Sequence, residues 1–334
     1  MQIPTFKPKP GIFNDRQLSE ILYSLDRKGR IPRKYGYFGT GVKNWTDLSI
    51  ASFFESKNQI EFYSDEQKLV KSSIQMALGG IPNNVTVNVI DIGSGTGHSA
   101  LSILLFLEEN EKIIGKYVAV DIVEDMAKLA ISTIKENMAG IKTDYYVYDF
   151  EDGHFADYLI QGKQEKEVNL FLFFGSTLPD MVNRHRALAN IKDSMCSNDL
   201  LWIGTKLHKD LQKSIDYYNG LELNSEEYMF QNKHFMSFFE SFDIPWQDYG
   251  YIREEGDSDN CKTHFIVSKP FALEIKVRNS KNIVEYLAGD KIIMHMFRQY
   301  PESDLILEIR EAGMKVRMLN ISDDYRVALV LAGV

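Results

Sequence analysis

Apolar positions along this chain recur in two rhythms. Residues 15 to 30 and 65 to 78 space them at helical intervals, the second stretch with Leu69, Val70, Ile74, Met76 and Ala77. From about residue 85 to 204, short and nearly continuous apolar runs alternate with stretches of helical period. Those runs are 85–90, 116–121, 145–148, 168–174 and 200–204, and the alternation predicts a doubly wound parallel sheet in an α/β fold. The run Val168-Asn169-Leu170-Phe171-Leu172-Phe173-Phe174 reads as a strand buried on both faces. The expected domains are a sheet domain of 64–204 with a final hairpin within 301–334, and a second, discontinuous domain of 1–63 and 205–300. The charged run 252–262 reads as a solvated hairpin tip between strands.

The first run opens onto Asp91-Ile92-Gly93-Ser94-Gly95-Thr96-Gly97-His98, and Ala100 to Leu105 then resume a helical period. Strand, glycine turn and helix in that order place free N–H groups at a ligand and let the backbone approach it closely. A dinucleotide fingerprint starting at Gly93 and Gly95 needs a small residue at 98, where His98 stands. The spacing D-x-G-x-G-x-G resembles instead the first motif of class I S-adenosylmethionine methyltransferases, a Rossmann-like fold. The next two strands also end in acids. Asp121 stands where a carboxylate can take both ribose hydroxyls, and Asp149 where one can accept from an adenine amino group, with Phe150 beside the ring. With Ser94 in the loop and Gly175 closing the fourth strand, these make up the expected cofactor set. The turn Gly175-Ser176-Thr177-Leu178-Pro179-Asp180 should face the reacting group, since ligands in such sheets bind at the carboxyl ends of the strands.

Composition narrows the partners. With 334 residues and 44% hydrophobic content the chain can bury a large core, and a net charge of −9 with a pI near 5.4 opposes nucleic acid binding. A small molecule is the expected partner, and the oligomeric state is left open. No run approaches eighteen uninterrupted apolar residues, the start lacks a signal core, and Cys196 and Cys261 suggest neither a disulfide framework nor a zinc site. No membrane partner and no metal are expected, and a cytoplasmic location is. The aromatic loop with Tyr37 and Phe38, and the rings Trp45, Phe53, Phe54, Phe62 and Tyr63 that follow, read either as staples onto a core or as walls of a substrate pocket.

Beyond the glycine loop, longer segments carry a more specific resemblance. Gly175-Ser176-Thr177-Leu178, the Asp149-Phe150-Glu151 turn, Tyr37-Phe38-Gly39, Glu61-Phe62-Tyr63, Leu287-Ala288-Gly289-Asp290 and the closing segments at 311–316 and 325–331 resemble the histidine-specific Nα-methyltransferase family that opens ergothioneine biosynthesis. The resemblance runs from residue 30 to 334. It implies a S-adenosylmethionine-dependent methyltransferase, with Ser176, Tyr217 on the helix after the fifth strand, the early-loop aromatics Tyr37 and Phe38, and Trp45 near the substrate.

The departures lie where that family reads its substrate. Its asparagine after the Gly-Ser-Thr turn is Asp180 here, which would repel a substrate carboxylate by on the order of 1 kcal/mol. The glutamate and serine that grip the imidazole correspond to His295 and Phe297, and a methionine near the amine to Phe265. A site without those partners leaves an imidazole short of hydrogen bonds at roughly 1 to 3 kcal/mol each, so histidine is not the expected substrate. The leading expectation is N-methylation of another amino acid or amine, with Asp180 and His295 as candidate catalytic residues that accept the amine proton. An O-methyltransferase and a non-enzymatic S-adenosylmethionine-binding protein are the alternatives.

Overall fold

The computed structural model describes residues 3–54, 61–156, 166–207, 211–256, 260–298 and 300–334, with only the backbone described at 28, 52–54, 61–63, 211, 213, 214 and 297. The chain forms two compact units, one of residues 1–48 and 210–298, the other of 49–209 and 299–334. The first boundary thus precedes the expected one at 63. Two features account for the shift: the Ser49 hydroxyl lies 3.4 Å from Thr96 Oγ1 in the glycine loop, and the helix Glu61–Leu78 starts before its apolar period becomes visible.

The second unit is built on a seven-stranded sheet. Its strand order is Lys315–Ile321, Val327–Gly333, Leu200–Lys206, Glu167–Phe173, Thr86–Ile92, Ile113–Asp121, Thr143–Val147. The five strands from Thr86 to Lys206 pair in parallel, and Val327–Gly333 pairs antiparallel with Leu200–Lys206 and with Lys315–Ile321. This is the Rossmann-like class I methyltransferase arrangement, and its order reverses between Thr86–Ile92 and Glu167–Phe173. The pleat explains the continuous apolar runs. Val87, Val89, Leu170 and Leu172 face a layer of Val70, Ile74, Ile103 and Leu104, while Ile90, Ile92, Phe171 and Phe173 face Leu188, Ile191, Leu305 and Ile309. Both faces are therefore covered by helices, and successive side chains all leave water. At about 25 cal/mol per Å² of apolar surface, such two-sided burial is the main favourable term in the unit.

The first unit has two three-stranded sheets. One orders Thr5–Phe6, Phe271–Val277 and Ser280–Tyr286; the other orders Lys291–Arg298, Asn260–Val267 and Gly250–Gly256. Strands run further into the charged stretch than predicted, because Ile252, Glu254 and Cys261 turn inward and are buried; residues 257–259 lie outside the described residues. The helix Asp15–Lys28 begins at a capping box, Gln17 N–H donating to Asn14 Oδ1 at 3.0 Å and Asn14 N–H to Gln17 Oε1 at 2.9 Å. Aromatic residues dominate this core: Phe13, Tyr35, Phe238, Phe239, Phe242, Trp246, Phe265 and Phe271 are all buried together. Among the described residues no helix is long and apolar enough to cross a membrane.

Candidate functional site

The sheet delivers its glycine loop at the reversal of strand order, where the carboxyl ends of neighbouring strands leave a crevice. Gly93, Gly95 and Gly97 have φ of 66°, 51° and 77°, a region that side chains disfavour. At Gly97 a Cβ would also lie 3.0 Å from the Cα and carbonyl oxygen of Ala130, so it would crowd the helix Glu124–Asn137. Helix His98–Glu109 follows, and His98 Nδ1 lies 2.9 Å from Thr96 Oγ1. Ser94 is 7% exposed and its hydroxyl has no partner.

Around this loop the unit buries acids. Asp91 accepts from the Tyr117 hydroxyl at 2.8 Å, and burial pushes its pKa up to about 7 against that hydrogen bond. Asp121 accepts from Val123 N–H at 3.0 Å and from Gly95 N–H at 3.4 Å; burial still raises it to about 6. Asp149 accepts from Glu151 N–H at 3.1 Å. These acids and the glycine loop, with Gly175, are the cofactor set expected from the sequence, and all lie at the carboxyl ends of four parallel strands.

Glu66 belongs to the same region and was not expected. Fully buried on the helix Glu61–Leu78, it accepts from Gly175 N–H at 3.1 and 3.2 Å through its two oxygens, and burial, with the Asp91 charge adding, raises its pKa to about 8. Gly204 makes the room for it: a Cβ there would sit 2.1 Å from Glu66 Oε1. The signal was present in the helical period, since Glu66 falls on the face of Val70, Ser73 and Ala77, all buried.

The Gly175-Ser176-Thr177 turn is held from several sides. Gly175 and Ser176 have φ of 76° and 57°; Ser176 Oγ accepts from Lys206 N–H at 3.1 Å, and Thr177 Oγ1 donates to the Phe174 carbonyl at 2.8 Å. Ser176, expected at the substrate, thus uses one acceptor position of its hydroxyl on the neighbouring strand and keeps its O–H as a donor. Asp180 ends the short helical turn Thr177–Asp180 and is partly exposed.

Other expected residues are placed differently from the sequence reading. Phe150 does not present its ring as a free wall: it is buried in the sheet core, edge to face with Phe173 at 5.6 Å. Phe265 is fully buried in the first unit's core, 4.5 Å from Phe239, because the strand Asn260–Val267 turns that side inward. Phe38 is a staple, packed on Phe13 at 5.5 Å and Tyr35 at 5.9 Å. Tyr217 gives its hydroxyl to Glu227, and burial with that acid pushes its pKa up to about 12. The side chains of Phe62, Tyr63 and Phe297 lie outside the described residues, although their backbones fall in the helix Glu61–Leu78 and the strand Lys291–Arg298.

Tyr37, Trp45 and His295 are brought together within the first unit. Tyr37 meets Trp45 at 5.6 Å, Trp45 meets His234 at 6.2 Å, and Phe235, next to His234, meets His295 at 5.4 Å. His295 sits at a register shift in the pairing of Lys291–Arg298 with Asn260–Val267.

The groups around the second unit's glycine loop suit a cationic nucleoside. Asp91, Asp121 and Glu66 are buried with no cation paired to them among the described residues, the Ser94 hydroxyl is unsatisfied, and the loop exposes backbone at three glycines. S-adenosylmethionine carries positive charge on both sulfur and ammonium, which such acids favour.

Solved structures similar to the chain include an S-adenosylmethionine-dependent methyltransferase from Clostridium acetobutylicum ATCC 824 at 8% identity and a TM-score of 0.47, covering 87% of this chain and 98% of that one. The CurJ carbon methyltransferase is similar at 12% identity and a TM-score of 0.46, over 96% and 65% of the two chains. The glycopeptide N-methyltransferase MtfA, solved with S-adenosyl-L-methionine, is similar at 8% and 0.39, over 80% and 93%. No curated protein matches the chain by sequence. Residues 17–334 match the model of the histidine-specific, S-adenosylmethionine-dependent methyltransferases, so the chain belongs to that family: it is a methyltransferase whose cofactor is S-adenosylmethionine.

Proposed function

We propose that this enzyme methylates the amino nitrogen of a small molecule, an amino acid or amine other than histidine. The observation that carries the reading is the setting of His295. At the position corresponding to the family's imidazole-gripping glutamate, this chain has a second imidazole, packed on Phe235 at 5.4 Å in a row of rings that reaches Trp45 and Tyr37. Such a wall favours an apolar or aromatic side chain and gives an imidazole N–H no carboxylate.

In this reading Gly93, Ser94, Gly95 and Gly97 hold the methionyl part of the cofactor, Asp121 takes the ribose hydroxyls and Asp149 the adenine amino group. When bound, S-adenosylmethionine supplies an activated methyl group, so the protein need only orient the amine and keep it unprotonated. Asp180 and His295 are the groups assigned to accept the amine proton.

The test is incubation of the purified protein with methyl-labelled S-adenosylmethionine and a panel of amino acids, aromatic amines and phenols, followed by mass spectrometry. Methyl on the nitrogen of a non-histidine amine is the expected product. Methylated histidine overturns the substrate reading, and methyl on oxygen overturns the N-methylation reading.

A further inference from the structure

Arg33 is a buried cationic group against the first unit's ring cluster, and nothing in the family resemblance accounts for it. It is 7% exposed, in the short helical segment Arg33–Tyr37 that follows Pro32. Its guanidinium carbon lies 4.7 Å from the centre of the Tyr37 ring and 5.1 Å from that of Phe235. Hydrogen bonding is meagre: Nη1 donates to the His234 carbonyl at 3.5 Å, and the buried Nε has no partner. No carboxylate among the described residues pairs with it.

Burying a guanidinium strips it of water, and native proteins offset this by pairing the charge. Two ring faces return part of that cost through cation–π attraction but satisfy none of its N–H groups. The neighbouring His234 cannot accept charge in exchange. Burial first, then the Arg33 charge, hold its pKa well below the usual histidine value, so it stays neutral. Gly36 packs close to the guanidinium, and a Cβ there would fall 2.9 Å from Nη1. A planar fork of donors lacking an anion is matched by a carboxylate, which can accept two parallel N–H bonds from it.

We propose that Arg33, between the rings of Tyr37 and Phe235, is a carboxylate-binding residue that anchors the acid group of an amino-acid substrate. The proposal rests on the N-methylation reading for the identity of the ligand, and not for the existence of the anion site. It assigns the recognition of a carboxylate to a residue of the aromatic loop.

The experiment uses the full chain with its arginine side chains labelled, and follows the Nε–Hε signal of Arg33 by NMR, assigned with Arg33→Lys. Acetate is the plain anion probe; twenty amino acids and their decarboxylated amines are the second panel. The expected result is that acetate and at least one amino acid shift the Arg33 signal, the matching amine does not, and calorimetry gives that amino acid a roughly tenfold to hundredfold weaker affinity in Arg33→Met, with Arg33→Lys between the two. An Arg33 signal that neither acetate nor any amino acid moves overturns the proposal, and this measurement needs no variant to fold. Equal methylation of amino acids and their decarboxylated amines by the native protein also overturns it, while leaving N-methylation intact. Methyl found on oxygen, with the Arg33 signal still answering to carboxylates, removes the N-methylation reading and keeps the anion site.

Discussion

The second unit buries acids and the first buries a guanidinium, and neither has a counterion among the described residues. Around the glycine loop of the second unit stand Asp91, Asp121 and Glu66, acids whose pKa values burial raises. In the ring cluster of the first unit stands Arg33, with one long hydrogen bond. Elsewhere a buried acid has an ordinary partner, Glu308 meeting Arg184 at 3.2 Å. Unpaired charge costs stability that a fold retains only if something else meets it. The acids suit a cationic cofactor and the arginine an anionic group, so on the proposed reading the difference between the units is a difference in ligand.

The largest effect is expected where the acid cluster is packed most tightly. Gly204→Ala places a Cβ against the Glu66 carboxyl and 2.9 Å from the Phe174 ring, and should cost about 3 kcal/mol by thermal or denaturant unfolding. Combining it with Glu66→Ala should return much of that loss; a double variant no better than the single one would deny that Glu66 is what Gly204 accommodates.

Next in size is the proposed cofactor contact. Asp121→Ala should weaken S-adenosylmethionine binding by about 2 kcal/mol, roughly thirtyfold by calorimetry. Phe150→Leu, a substitution within the core cluster, should lower stability while changing cofactor affinity little. A cofactor affinity that answers to Phe150 and ignores Asp121 would reverse the assignment.

The third effect follows from titration. Glu66 rises from 4.5 to about 8 on folding, so between those values the folded protein keeps a proton that the unfolded chain has lost. Stability contributed by the neutral carboxyl is complete below about pH 4.5 and is lost as pH rises toward 8. Glu66→Gln, which stays neutral, should therefore gain on the native protein by on the order of 1 kcal/mol between pH 6 and 8, read from unfolding curves at each pH. The same deprotonation favours a cation, so S-adenosylmethionine should bind more tightly over this range while uncharged-sulfur S-adenosylhomocysteine gains less.

The smallest effect tests the turn. Ser176→Ala removes the acceptor for Lys206 N–H and should cost about 1 kcal/mol. Ser176→Gly loses the same bond but relieves a φ of 57°, and should cost less than the alanine variant. A loss of methyl transfer in Ser176→Ala with unchanged unfolding would mean that the hydroxyl serves the substrate instead.

Much of the second unit was legible in the chain. The apolar runs at 85–90 and 168–174 became neighbouring parallel strands, and the acids at 91, 121 and 149 became their carboxyl ends. Local rules carried that much: a period of two against one of 3.6, and glycines where φ must be positive. The first unit was less legible because its aromatics have no period that separates staple from wall. Tyr37 and Phe38 are adjacent, yet Phe38 packs on Phe13 and Tyr35 while Tyr37 lies under Arg33 and against Trp45. Phe265 and Phe150 were placed near ligands by analogy of position, and the pleat of their strand or turn sent both into cores.

Reading residues in order was thus enough to establish the α/β sheet, the glycine loop, its acid-tipped strands and the methyltransferase family, because each depends on neighbours within one strand, turn or helix. Which charges stand unpaired could come only from the folded chain. Glu66 reaches Gly175 across 109 positions and Arg33 reaches His234 across 201, and whether a buried charge has a counterion depends on every element packed around it.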